Sequence, residues 1–293
     1  MTNIPLKEKS IIESSRDLRK ILLYGAGGVG KSVSLATILK GNPKKRLVYL
    51  MTERNAVSGL EFGIKKYNVI VKEGQIVYVY PQEEKKAAFG NLGRALENFA
   101  NQSKVLALKG DGGSTQGKES YGYLGTIIST LSSFKGFDFV TGELVNIGNV
   151  GKLTSNDILI VDGLSPIGNE IWNSLVGDKI AISMTDYGPP QRAMYLMLSE
   201  LAKLPCHVVL LAHARDKTDD KGSLIQVQVN TWVGNSNYET LMGLFTDVIY
   251  AYKFGINFYW SGKQSKVYAI ARNIPAEDNL LPDFAKHNIF TET

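Results

Sequence analysis

The sequence predicts an α/β protein: a mostly parallel, twisted sheet flanked by helices, with an inserted helical and hairpin region. Three observations predict it. Continuous apolar runs of strand length recur along the chain and alternate with helical stretches, the pattern of strands buried on both faces. The first run opens through a glycine-rich turn into a helix, and a later run ends in a carboxylate.

Taken in order, strands are expected at residues 21–24, 47–52, 76–80, 158–162, 208–212, 248–252 and 267–271. Helices are expected at 32–39, 56–66, 86–101, 123–134 and 191–201, the last opening after Pro189-Pro190 because proline suits a first helical turn. Residues 104–120, rich in Gly, Ser and Thr, read as a mobile loop. Residues 137–156 read as a hairpin turning at Thr141-Gly142. One domain with an insertion at 82–156 is the simplest account.

Composition narrows the class. The 293 residues, 44% hydrophobic and 21% charged, suffice for a large buried core but leave little room for a separate nuclease or protease domain. The net charge of +5 is concentrated in the first fifty residues, among them Lys7, Lys9, Arg16, Arg19, Lys20, Lys44, Lys45 and Arg46. Such a balance permits contact with nucleic acid, and a solvated basic face accounts for it equally. A single cysteine, Cys206, excludes an internal disulfide framework. The N-terminus has no apolar signal region and no segment reaches membrane-span length, so a cytoplasmic protein without a membrane partner is expected.

The chemistry begins at Gly25-Ala26-Gly27-Gly28-Val29-Gly30-Lys31-Ser32, which fits the phosphate-binding pattern G-x-x-x-x-G-K-[ST] between strand and helix. Small residues let consecutive backbone N–H groups curl around phosphates at a helix N-terminus. Lys31 then reaches the terminal phosphates and the Ser32 hydroxyl ligates Mg²⁺. The nucleotide-contacting set runs from Gly25 through Ser32 to Val33. Gly25, Gly27 and Gly30 also satisfy a dinucleotide fingerprint, G-x-G-x-x-G, with Glu53 as the ribose carboxylate. That reading has no use for Lys31-Ser32, nor for a second acidic strand end.

The second end is Asp162, closing the run at 158–162. It can hold a metal-bound water opposite Ser32, and a plain strand end is the alternative. Many phosphate-loop ATPases place a Glu next, but here Gly163 follows. Glu53, past the strand at 47–52, is the candidate to direct the attacking water, against a solvated turn residue. His213, delivered to the same edge by the strand at 208–212, can sense the terminal phosphate or simply cap its strand.

Together these residues resemble the RecA-type ATPase core. More narrowly, the chain is similar to bacteriophage RecA-like ATPases related to Sak-type single-strand-annealing proteins. The supporting stretches are 158–165, Asp186-Tyr187-Gly188 before a helix, 204–213, and Ala271-Arg272-Asn273. The resemblance spans roughly 18–275. It implies a RecA-like fold, Mg²⁺-dependent ATP hydrolysis coupled to single-stranded DNA, and homo-oligomeric rings or filaments. It further implies that Lys31 and Ser32 bind phosphate and Mg²⁺, that Glu53 activates water, that Asp162 supports the metal and that His213 senses phosphate. Arg272 is the implied arginine reaching a neighbouring subunit's phosphates, with a plain surface role as the alternative. Ile270, where relatives often carry Lys, and the long 82–156 region depart from the pattern.

The resemblance also places DNA on the loops after Asp162 and His213, expected at 163–187 (Trp172, Lys179) and 215–238 (Arg215, Lys217, Lys221, Trp232, Tyr238). Cations with interleaved aromatics suit a single strand, each stacked base contributing about 1–3 kcal/mol. Asp178, Asp186, Asp216, Asp219 and Asp220 dilute that field. An ATP-dependent recombination motor, an ATP-gated loader with little turnover, and a small-molecule kinase are the competing functions. The kinase is disfavoured for want of an arginine-rich lid.

Overall fold

Six parallel strands form the middle of the sheet, in the order β9 (Asp247–Phe254), β1 (Lys20–Gly25), β7 (His207–Thr218), β6 (Asp157–Asp162), β2 (Arg46–Met51) and β3 (Ile76–Val79). Antiparallel strands finish both margins. β10 (Asn257–Ser261) pairs with β9, while β4 (Phe134–Asp138) and β5 (Leu144–Gly148) continue beyond β3. The architecture is that of a computed structural model describing residues 18–53, 56–81, 122–177, 182–233 and 238–290. The helix expected at 86–101, the loop at 104–120, and Asp178 and Lys179 lie outside the described residues.

Alternation along each central strand explains why the sheet is covered on both faces. Ile21, Leu23, Ile158, Ile160, Val209 and Leu211 pack on one side, and Leu22, Tyr24, Leu159, Val161, Val208 and Leu210 on the other. The first face holds α1 (Lys31–Ser34), α2 (Ala36–Gly41) and α3 (Ala56–Tyr67). The second holds α4 (Gly122–Ser132), α5 (Leu164–Leu175) and α6 (Gly188–Lys203). Pro189 and Pro190 occupy the first turn of α6, as expected. The hairpin expected at 137–156 forms earlier in the chain, with its arms at 134–138 and 144–148. Gly142, at φ 71°, donates its N–H to Asp138 O at 2.9 Å, and the pair β4–β5 extends the main sheet.

Four expectations need correction. The helix at 32–39 divides at Leu35, because Ser34 and Thr37 hydroxyls bond back to Lys31 O and Ser34 O and Ile38 N–H turns to Leu35 O. The strand at 267–271 is reduced to isolated bridges. Tyr268 N–H goes to Val227 O and Ile270 N–H to Val248 O, so its donors are split between two strands and no ladder forms. Within 163–187, residues 164–175 form helix α5, whose Leu164, Ile167 and Ile171 are buried. Residues 215–238 are largely a hairpin: β7 runs on to Thr218 and returns as β8 (Leu224–Val229), with Asp219 Oδ1 accepting the Lys221 and Ser223 N–H groups in the turn.

The C-terminal stretch up to residue 290 covers the phosphate-loop side. Phe284 and Phe290 pack with Trp260, and Phe284 N–H donates to Thr37 Oγ1 at 2.8 Å. No helix among the described residues is long and apolar enough to cross a membrane.

Candidate functional site

Strand register brings the chemistry to one edge. Gly25 aligns with His213, Leu211 with Asp162, and Asp162 with Met51. Glu53 and His213 therefore each stand two residues past the level of Asp162, on the strands either side of β6. Their strands are about 10 Å apart, two interstrand spacings, yet His213 Nε2 lies 2.8 Å from Glu53 Oε1, bridging the tip of β6. Gly163 lies at that tip. Its φ is 113°, and a Cβ there would sit 1.8 Å from Thr52 Oγ1, which donates to Asp162 O at 2.7 Å. The missing Glu after Asp162 thus has a steric cause: no side chain fits at position 163.

Below the bridge, Ser32 Oγ donates to Asp162 Oδ2 at 3.1 Å and Tyr49 Oη donates to the same oxygen at 2.5 Å. Burial pushes the Asp162 carboxyl above the usual range, partly countered by the Tyr49 and Ser32 hydrogen bonds. Lys31 Nζ donates to Gly25 O at 3.0 Å and Ala26 O at 2.8 Å. Burial lowers its pKa against the opposing pull of Asp162 and Glu53. A hydroxyl and a carboxylate 3.1 Å apart suit a hard cation that keeps most of its waters, as Mg²⁺ does, and among the described residues no cluster of three or more His, Cys, Asp or Glu side chains competes for a metal.

The phosphate loop itself is preset. Gly28 and Gly30 adopt φ of 74° and 83°, so the loop curls before α1 begins at Lys31. Gly27 through Val33 line a cavity of about 400 Å³, together with Glu53, Asp162, Gly163 and His213. That volume lies within the range of small-molecule sites. Gly25 and Ala26 lead into the loop from the end of β1.

Sequence reasoning missed several contributors. Gly59 and Gly63 on α3 face the phosphate-loop helix so closely that a Cβ would stand 2.9 Å from Ser32 Cβ and 2.2 Å from Val33 O, respectively. A Gly-x-x-x-Gly pair after Glu53 was a readable signal for that close approach. Tyr49 carried none, since a tyrosine in an apolar strand reads as core. Phe62, Lys66, Tyr67, Phe258 and Pro282 complete the cavity from distant segments.

The remaining expected residues lie elsewhere. The backbone N–H groups of Arg272 and Asn273 donate to Asp247 Oδ1 at 2.9 and 2.8 Å, at the start of β9, which aligns with Ile21. That is four residues, roughly 13 Å by strand rise, back from Gly25, so Arg272 sits toward the opposite edge from its own phosphate loop. Lys217 and Lys221 are exposed on the β7–β8 hairpin. Arg215 is half-buried, and its Nη2 has no hydrogen-bond partner. Trp232 is about half exposed in a left-handed conformation, φ 61°. Trp172 instead packs on Tyr187, ring centroids 4.9 Å apart.

A parallel sheet with a glycine-rich phosphate loop at one strand tip and an acidic tip two strands away defines a P-loop nucleotide-binding protein of ATPase type. The AAA domain family matches residues 18–269, and the chain belongs to it. No curated protein matches the chain.

Proposed function

We propose that the chain is a Mg²⁺-dependent ATPase of RecA-like, phage recombination type that acts on single-stranded DNA as a homo-oligomer. The observation that carries the hydrolytic part is the Glu53–His213 contact across Gly163, beside the Ser32–Asp162 pair. Lys31 and the loop N–H groups hold the phosphate chain, and Ser32 and Asp162 would hold the metal, which neutralises charge on the phosphates. Glu53 orients a water and takes its proton, while His213 holds the carboxylate in place and releases it when the terminal phosphate changes.

Support for coupling to DNA lies in a hydrogen-bond path. His213 N–H donates to Ser165 Oγ at 3.0 Å, Ser165 Oγ donates to Asn230 O at 2.7 Å, and Asn230 N–H donates to His213 O at 2.8 Å. Trp232 N–H in turn donates to Asn230 Oδ1 at 3.2 Å. A shift of His213 thus reaches an exposed aromatic at the base of the hairpin that carries Arg215, Lys217 and Lys221, the groups proposed to meet a single strand. Arg272, held toward the far sheet edge, is proposed to act on a neighbouring subunit.

The test is ATP turnover with and without single-stranded DNA, for the parent and Lys31→Ala. DNA-stimulated turnover lost in Lys31→Ala supports the motor. Turnover that Lys31→Ala abolishes but DNA leaves unchanged refutes the DNA part. The Glu53–His213 bond also favours a second reading, an ATP-gated adaptor in which the pair registers nucleotide without fast hydrolysis. Negligible parent turnover with tight ATP binding would select it.

A further inference from the structure

The phosphate loop accounts for only one end of the cavity. Glu53 follows β2, and Asp162 and His213 belong to β6 and β7, all on one side of β1, whereas β9 and β10 lie on the other. A triphosphate whose last phosphate faces Glu53 must direct its nucleoside away from that side. There the cavity wall turns aromatic. The Phe258 ring on β10 stands 3.5 Å from where Gly30 would carry a Cβ, so it covers the last loop glycine at van der Waals distance. Across from it, the Lys66 ammonium lies 5.5 Å from the Phe258 centroid and 5.4 Å from that of Tyr67. Lys66 lines the cavity and is exposed, so it covers the inner face of Phe258 as an exchangeable cation. Phe62, 58% exposed at the same end, presents further uncovered apolar surface, and Pro282 closes the wall.

We propose that Phe258 is the platform on which the nucleotide base stacks, the base displacing Lys66 from the slot between Phe258 and Tyr67. This rests on the nucleotide reading above. Among the described residues, the lining has no Asn or Gln, and its carboxylates, Glu53 and Asp162, are at the phosphate end. Among the described side chains at the base end, the Tyr67 hydroxyl is the one that can accept a hydrogen bond from an exocyclic amine, and it also donates. Recognition is therefore by stacking area: purine triphosphates bind alike and pyrimidine triphosphates more weakly.

The experiment compares Kd values for ATP, GTP, CTP and inorganic tripolyphosphate, each with Mg²⁺, in the parent, Phe258→Ala, Phe258→Trp and Lys31→Ala. Phe258→Ala should weaken ATP by about 10- to 100-fold, the range expected for a lost base stack, and leave tripolyphosphate unchanged. Phe258→Trp should restore ATP binding. ATP and GTP should agree within about tenfold, with CTP weaker, as stacking implies. Equal losses for ATP and tripolyphosphate in Phe258→Ala, or no loss for either, overturn the platform, and so does strong discrimination between ATP and GTP. A parent that binds neither ATP nor tripolyphosphate overturns the nucleotide reading itself, a result distinct from both.

Discussion

Glu53 and His213 meet across the tip of β6, where the next residue, Gly163, has no room for a side chain. Gly163→Glu, which places a carboxylate directly after Asp162, should therefore not raise turnover. It should cost about 3 kcal/mol of stability, combining a left-handed non-glycine backbone with overpacking against Thr52, read as a lower urea midpoint. Glu53→Gln keeps the hydrogen-bond geometry but removes the proposed base. Turnover should fall by about 100-fold or more while ATP affinity, measured by titration, stays near the parent's. Loss of ATP binding in Glu53→Gln would reassign Glu53 from water to nucleotide. Tyr49 belongs beside them as the buried hydroxyl that, with Ser32, orients Asp162 Oδ2.

At the scale of elements, the phosphate-loop helix is short, four residues in α1 and six in α2, and cannot be stable by itself. Its position comes from α3 on one flank and the C-terminal segment on another. Gly63 touches Val33 O so closely that Gly63→Leu must push α3 off α1. The expected outcome is a loss of about 3 kcal/mol or more together with weakened ATP binding, because Ser32 moves with the helix. Denaturation and titration on the same preparation check it. A variant that is destabilised yet binds ATP normally would show that the loop is held from the sheet alone. The β7–β8 hairpin shows the same dependence on context. The resemblance led to a loop here, but backbone pairing with β8 carries the strand on to Thr218.

Across the whole molecule, the edge of the sheet opposite the site holds a buried histidine. His207 Nδ1 accepts the Arg19 N–H at 3.0 Å, and its ring packs edge-on to Phe290. Burial, then nearby Lys45, Lys20 and Arg19, lowers its pKa from 6.5 to about 3. Above pH 6.5 neither state is protonated and the contribution is fully present. Between pH 6.5 and 3 the unfolded chain takes up a proton that the folded one refuses, so stability falls with a slope approaching about 1.4 kcal/mol per pH unit. His207→Asn, whose carboxamide oxygen can take the Arg19 N–H, should flatten that share of the acid slope in urea denaturation at pH 7 and 5. An unchanged slope would place the acid sensitivity on carboxylates instead.

Much of this was legible in the chain. The α/β class, the central strands, the phosphate loop and the absence of Glu at 163 follow from local pattern, because buried strands and glycine turns demand particular residues at particular spacings. The strand at 267–271, expected from its local pattern, and the loops at 163–187 and 215–238, expected from the resemblance, were misread, since pairing partners and helix packing decide those segments. Which tips become neighbours depends on strand order, and no single segment encodes it. Placing β7 between β1 and β6 sets His213 across from Glu53, and placing β10 beyond β9 brings Phe258 over Gly30. Both contacts join residues more than 150 positions apart in sequence, and chain-wide packing, rather than any local preference, creates them.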